Sequence, residues 1–282
     1  MILVIGGSGF VGVHLVRMAV LRGERVRVFD REPFPEEEEV VPDELVLGDI
    51  SSLPSLTAAM RGCRLVFHLA GIAHLWRRDP KDFDRVNRQG TERVLEAAWR
   101  AAPDRLVYTS TESILVPRGA RVAITEAAQP KLEDMIGPYC RSKLRAEQAV
   151  FRAARRGLPA TVVSPTMPVG PGDRNLTPPG KMIRDFLRGK IPAYIHGTLN
   201  LVDVRDVAAG LLAAASSGEV GQRLLLAGHN LTVGDFLRHL ATASGRPAPR
   251  LRLPYSVALG WSGAEHLWAA LGGGPPRSSI TG

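Results

Sequence analysis

The apolar run Ile2-Leu3-Val4-Ile5 leads directly into Gly6-Gly7-Ser8-Gly9-Phe10-Val11-Gly12, where a helical pattern begins that extends to Arg22. Few sequence features restrict a backbone as strongly. The first glycine makes the tight turn out of the strand, the second lets the chain approach a pyrophosphate, and the third lets helix and strand pack closely. A helix N-terminus there adds unpaired N–H donors and the positive end of a dipole. Taken alone, the spacing also fits an ordinary strand-to-helix turn. A second strand, Arg25–Phe29, then ends at Asp30, near the distance at which an acid grips an adenosine ribose. The expectation is a dinucleotide site with Gly6, Gly9, Phe10, Val11 and Gly12 around the phosphates. Asp30 should accept from the ribose hydroxyls and repel a 2′-phosphate, which favours NAD; Arg31 beside it leaves NADP open.

The first half keeps this rhythm. Strands are predicted at Ile2–Ile5, Arg25–Phe29, Glu44–Leu47, Leu65–Leu69, Arg105–Thr109 and Ala160–Val163, with helices at Phe10–Arg22, Leu53–Met60, Phe83–Ala101 and Pro138–Arg156. Such alternation argues for an α/β fold with a Rossmann-type, doubly wound parallel sheet. The acidic run Glu36–Glu39, bounded by prolines, reads as a solvated loop. After Val163 the composition shifts to prolines and glycines, then to a helix at Met182–Arg188 and short apolar runs. The expected division is a nucleotide-binding domain over 1–163, a smaller substrate-binding lobe over 164–271 interlaced with it, and a flexible tail over 272–282.

Net charge is +8. No dense basic run or aromatic ladder accompanies it, so an anionic or sugar-like small molecule is expected and nucleic acid is not. Cys63 and Cys140 lie far apart and the histidines form no ligand spacing, so no metal is expected. The apolar N-terminal run is too short for a signal peptide, and no stretch of about 18 apolar residues could span a membrane. A cytoplasmic location follows.

Tyr139-Cys140-Arg141-Ser142-Lys143 sets a Tyr and a Lys one helical turn apart, on the same face. A phenol with a pKa of about 10 is a poor base at neutral pH. A nearby ammonium stabilises the phenolate. Tyr139 could then exchange a proton with a substrate hydroxyl while a nicotinamide exchanges the hydride, with Lys143 also on the nicotinamide ribose. The bland alternative is an exposed helix face. The strand Arg105–Thr109 ends in Thr109-Ser110-Thr111, where wound-sheet enzymes place their chemistry. Any of the three hydroxyls could hold the substrate oxygen, or simply finish the strand.

These motifs, with Gly48-Asp49-Ile50, Leu69-Ala70-Gly71 and Asn87-x-x-Gly90-Thr91, resemble the extended short-chain dehydrogenase/reductases of the epimerase/dehydratase group. The resemblance spans roughly residues 1–270. It implies that Asp49 and Ile50 meet the adenine and that Leu69, Ala70 and Gly71 run along the adenosine side. It places Asn87 as a brace, Thr111 as the catalytic hydroxyl, Thr109 beside the cofactor, and Pro165 and Thr166 on the nicotinamide. Leu132–Gly137, Val169-Gly170-Pro171, Asp185–Gly189 and Leu251–Pro254 are similar to hopanoid-associated sugar epimerases. The expected reaction is transient oxidation and re-reduction of a (nucleotide-)sugar hydroxyl. Net oxidation or reduction of a sterol-like, dihydroflavonol-like or other small carbonyl compound is the alternative, and a non-catalytic nucleotide-binding scaffold is a third. Three positions depart from the sugar-enzyme pattern: Ser164 replaces a common Asn, the segment around Asp203 lacks the usual His, and Glu112 follows Thr111 where a small or apolar residue is common.

His74 and Trp76 lie near the pocket mouth and are candidate substrate contacts with Thr111 and Ser164, or parts of a packed loop. His68 reads as a satisfied core histidine. Tyr255–Leu271, with Trp261 and Trp268, reads as a lid or core helix; beside Arg250 and Arg252 it could also touch a membrane surface. Apolar Val94, Leu95, Ala98 and Trp99 on one long helix, and Leu144, Ala146, Val150 and Phe151 on the other, lie on more than one face and suggest a second partner; the resemblance implies that these helices form a four-helix interface, and a homodimer is expected.

Overall fold

The computed structural model describes residues 1–74, 76–116, 123–254 and 256–257. The first half alternates β1 (Ile2–Ile5), α1 (Phe10–Leu21), β2 (Val26–Asp30), β3 (Glu44–Leu47), α2 (Leu53–Met60), β4 (Leu65–His68), α3 (Lys81–Phe83), a π-helical stretch Asp84–Gln89, α4 (Gly90–Ala101), β5 (Arg105–Thr109), α5 (Gly137–Arg155) and β6 (Ala160–Pro165). Then follow β7 (Met167–Val169), α6 (Pro178–Leu187), β8 (Ala193–Ile195), β9 (Thr198–Asp203), α7 (Val204–Ser217), β10 (Arg223–Leu226), β11 (His229–Thr232), α8 (Val233–Ser244) and β12 (Leu251–Leu253). Seven strands form a parallel sheet in the order β10-β6-β5-β4-β1-β2-β3. The direction of winding reverses between β1 and β4, which opens a crevice at their C-terminal ends.

Side chains along β1 alternate between two cores, as a strand buried on both faces must. Leu3 and Ile5 join Leu56, Met60, Val94, Leu106 and Val150 under α2, α4 and α5. Ile2 and Val4 join Leu15, Val16, Val28, Val107 and Leu211 under α1 and α7. The last strand and last layer helix therefore come from the second half of the chain. Arg223–Leu226 is not among the expected strands; it is one of the short apolar runs of the second half, four residues long. The boundary expected after Val163 falls inside β6, where Ser164 and Pro165 pair with Leu225 and Leu226. The remaining strands form β11-β9-β7 and β12-β8.

Two helices differ from expectation for local reasons. α6 starts at Pro178, not Met182: Thr177 caps it, and the prolines that signal a loop occupy its first turn. The helix expected over Phe83–Ala101 carries the π-helical stretch at its start. The apolar residues that suggested a second helix pair serve this chain's own core. Val94, Leu95, Ala98, Leu144, Ala146 and Val150 are buried, Phe151 is partly buried, and Trp99 alone of that set is exposed. Tyr255, Trp261 and Trp268, with the tail from 272, lie outside the described residues.

Candidate active site

Contacts that exclude a side chain build the turn between β1 and α1. Gly6 takes φ +86°, and a Cβ there would lie 2.5 Å from the Ala70 amide nitrogen. The Leu69 and Ala70 amides both donate to Ile5 O, at 2.8 and 2.9 Å. Leu69-Ala70-Gly71 is thereby held against the glycine turn, across the winding reversal. A Cβ on Gly12 would come within 2.3 Å of Gly6 O, so α1 can start directly over the turn only with glycine there. At Gly9 a Cβ would meet only Gly6 O, at 3.3 Å. Gly9 is the N-cap of α1, with no side-chain cap and no acid in the first turn, so Phe10 and Val11 open a helix whose positive end is not neutralised.

At the end of β2 the Asp30 carboxylate accepts from two amides, Ser8 at 3.0 Å and Glu32 at 3.2 Å, and stays partly exposed. Arg31 is exposed, 3.9 Å from the Glu32 carboxylate. Asp49 accepts from the Ser51 amide at 2.8 Å; that bond holds its carboxyl below the ordinary range, with Arg31 adding to the effect. Ile50 packs against Gly90 on α4, where a Cβ would stand 3.0 Å from its Cγ2.

The end of β5 meets the start of α5. Thr109 Oγ1 and Ser110 Oγ are buried without a partner. The Thr111 hydroxyl accepts from the Ser113 amide at 3.2 Å and lies 3.2 Å from both Glu112 Oε2 and Ser113 Oγ. The Tyr139 ring stands edge-on to Phe83, centroids 6.3 Å apart, among Ile114, Leu115, Met135 and Cys140. Burial there pushes its hydroxyl above the ordinary value; a hydrogen bond with Thr111 works against this, and the Glu112 charge adds to it. One turn along, buried Lys143 donates from Nζ to Thr109 O at 2.7 Å and sits 4.7 Å above the Tyr108 ring. Burial lowers its ammonium to about 8. From the spacing alone, Lys143 is expected to lower the Tyr139 pKa. In this structure the ammonium is committed to the Thr109 carbonyl and burial dominates Tyr139. Burial also pushes the Glu112 carboxyl up to about 7, although Thr111 and Ser113 hydrogen bonds favour its charge. Sequence reasoning flags Glu112 only as a departure; its burial beside Tyr139 depends on a tertiary contact.

Asn87, inside the π-helical stretch, accepts from the Ile72 amide at 2.7 Å and donates to Ser142 Oγ at 3.0 Å. Ser142 in turn donates to Tyr139 O at 2.7 Å. The loop after β4 is thus tied to α5. His74 and Trp76 lie partly buried in that loop. Burial and Arg77 lower the His74 imidazole, while Asp173, after β7, opposes them. Ser164 is fully buried in β6, its Oγ unpartnered. Pro165 ends that strand, and the Thr166 amide donates to Leu226 O at 2.9 Å. Asp203 caps α7 and pairs with Arg205, which takes its carboxyl down to about 2. His68 bonds Thr91 through Nε2 at 2.9 Å but leaves Nδ1 unpartnered; burial, and then Lys143, lower it to about 3.

The family model for the NAD-dependent epimerase/dehydratase family matches residues 2–227. The chain belongs to that family. It is an enzyme of the extended short-chain dehydrogenase/reductase type, and NAD is its cofactor. A Synechocystis sp. protein that carries the name of a dihydroflavonol 4-reductase is 38% identical, over 96% of this chain and 81% of the relative. Sterol demethylase protein B of Methylococcus capsulatus is 33% identical, over 89% of this chain and 77% of the relative. Among solved structures, gox2253 superposes with a TM-score of 0.87 at 34% identity, over 100% of this chain and 86% of the other. The Thermus thermophilus UDP-glucose 4-epimerase, complexed with NAD, gives 0.74 at 26% identity, over 90% and 85%. The family's cofactor fits what the residues offer. The glycine turn has no room for Cβ atoms at Gly6 and Gly12, the N-terminus of α1 has no side-chain cap, and Thr109 and Ser110 at the end of β5 keep buried hydroxyls without partners.

Proposed function

We propose that this chain is a cytoplasmic oxidoreductase that interconverts a secondary alcohol and a ketone on an apolar ring compound, with net turnover of NAD. The observation that carries the reading is the meeting of Thr111, Tyr139 and Lys143 at the end of β5, with the Tyr139 ring set in an apolar cluster. The relatives named for dihydroflavonol and sterol chemistry support the substrate class.

In this proposal Gly6, Gly9, Phe10, Val11 and Gly12 take the pyrophosphate and Asp30, with Arg31, the adenosine ribose. Asp49, Ile50 and Leu69–Gly71 line the adenosine side, and Thr109, Pro165 and Thr166 the nicotinamide side. NAD, when bound, supplies hydride acceptance and donation. Tyr139 Oη takes the proton from the substrate hydroxyl in oxidation and returns it in reduction. Lys143 supplies a cation to the nicotinamide ribose and to the phenolate once Tyr139 has lost its proton. Thr111 Oγ1 orients the substrate oxygen. His74 and Trp76 flank the entrance. Ser164 is enclosed in β6 and reaches substrate only if that wall opens.

A sugar epimerase is the second reading, favoured by the likeness to the Thermus epimerase. The segment around Asp203 lacks the His usual in sugar enzymes, which weakens it. The two are separated by following NADH with a dihydroflavonol or a 3-ketosteroid, and with UDP-glucose. Stoichiometric NADH consumption with an apolar ketone is the expected result. An epimerised sugar nucleotide formed without NADH change would replace the proposal by the second reading.

A further inference from the structure

Behind Tyr139 and Lys143 lies a buried charge pair that the chemistry above does not use. Glu147 follows Lys143 by one helical turn on α5 and is 1% exposed. Arg223 of β10 reaches it through Nη2 at 2.6 Å and Nε at 3.2 Å. Both contacts fall on Oε1, and Oε2 is buried without a partner. Arg223 is held independently by the Glu126 and Ala128 carbonyls, at 2.9 and 2.7 Å, and by the Phe151 ring at 5.4 Å. The cation is fully engaged. The carboxylate keeps one oxygen uncommitted, one helical turn from Lys143, whose Nζ donates to the Thr109 carbonyl.

We propose that Glu147 is a positioning residue for the reaction: its carboxylate keeps the Lys143 ammonium charged inside the core, and Arg223 sets how much of that field Lys143 receives. The proposal rests on the reading of Lys143 as the cation of the cofactor site. A buried amine without a counter-charge loses its proton. Burial already brings Lys143 to about 8, and Glu147 acts in the opposite direction. The other groups around Lys143 carry no charge near neutral pH. Burial holds His68 of β4 at about 3 and Tyr108 of β5 far above its ordinary value. Tyr139, one turn back on α5, is likewise held protonated, and the Glu112 charge bears on Tyr139. The ion pair also clips α5 to β10. That structural role predicts lost stability whichever partner is removed, but no opposite movements of the Lys143 titration.

The test is a titration of the intact chain carrying ¹³Cε-lysine, followed by NMR, with the Lys143 signal identified by its loss in Lys143→Arg. The wild-type midpoint should fall near 8. Glu147→Gln should lower it by about one pH unit, and Arg223→Met should raise it. Removing both partners of a buried pair is often tolerated. The double variant Glu147→Gln/Arg223→Met should therefore fold even if a single variant does not, and should titrate below wild type. NAD affinity measured by calorimetry against pH should follow the same midpoints. An unchanged midpoint in Glu147→Gln or in the double variant would overturn the proposal, as would shifts of the same sign in both single variants. The titration needs no substrate. A chain that titrates as described yet turns over no alcohol or ketone contradicts the proposed function and leaves the coupling of Glu147 to Lys143 standing.

Discussion

Glu112 adds its charge to the burial that already opposes ionisation of Tyr139. Burial pushes its carboxyl up to about 7, and its charge opposes ionisation of Tyr139. Below that pH it is neutral; as pH rises through it, the new negative charge holds the Tyr139 proton more firmly. Glu112→Gln removes this opposition. In the oxidation direction, which needs the phenolate, the rising limb of the pH–rate profile should move to lower pH by about one unit, and the inflection near 7 should vanish. A profile identical to wild type would show that Glu112 does not act on Tyr139. The Tyr-x-x-x-Lys spacing was readable because a helix fixes it locally. The burial of Glu112 was not, because it depends on α5 packing over a turn that neighbours it only in space.

At the scale of elements, the glycine turn separates two functions that a spacing motif merges. Gly12 serves packing, since a Cβ would sit 2.3 Å from Gly6 O. Gly9 has a single neighbour at 3.3 Å. Gly12→Ala should therefore cost about 1–3 kcal/mol of stability through overpacking, read by urea unfolding. Gly9→Ala should leave the unfolding midpoint nearly unchanged while weakening NAD binding at least tenfold by calorimetry. Equal effects of the two variants on both readouts would contradict this division. Strands from β1 to β6 were legible because each is an apolar run between turn signals, and their ends moved by a residue or two. The start of α6 was hidden because Pro178 and Pro179 mark a loop and a first helical turn equally well. The π-helical stretch around Asn87 has no composition signal at all.

For the whole molecule, periodicity revealed the winding but not its closure. β10 and α7 return from the second half to finish the sheet and one of its layers, and only the fold brings Arg223 to Glu147. The homodimer stands as a proposal with a narrower basis than the sequence suggested, since of the apolar residues invoked only Trp99 is left exposed. If α4 forms the contact, light scattering should give a dimer for wild type and a monomer for Trp99→Glu; a monomeric wild type would remove the proposal. In the proposed function Tyr139 is the acid–base group of an NAD-dependent alcohol–ketone interconversion. The most direct test of that role is to measure turnover and calorimetric NAD affinity on the same preparations of wild type and Tyr139→Phe. Turnover should fall by about 10²–10⁴ while NAD affinity changes less than about twofold. Turnover in Tyr139→Phe equal to that of wild type would contradict it.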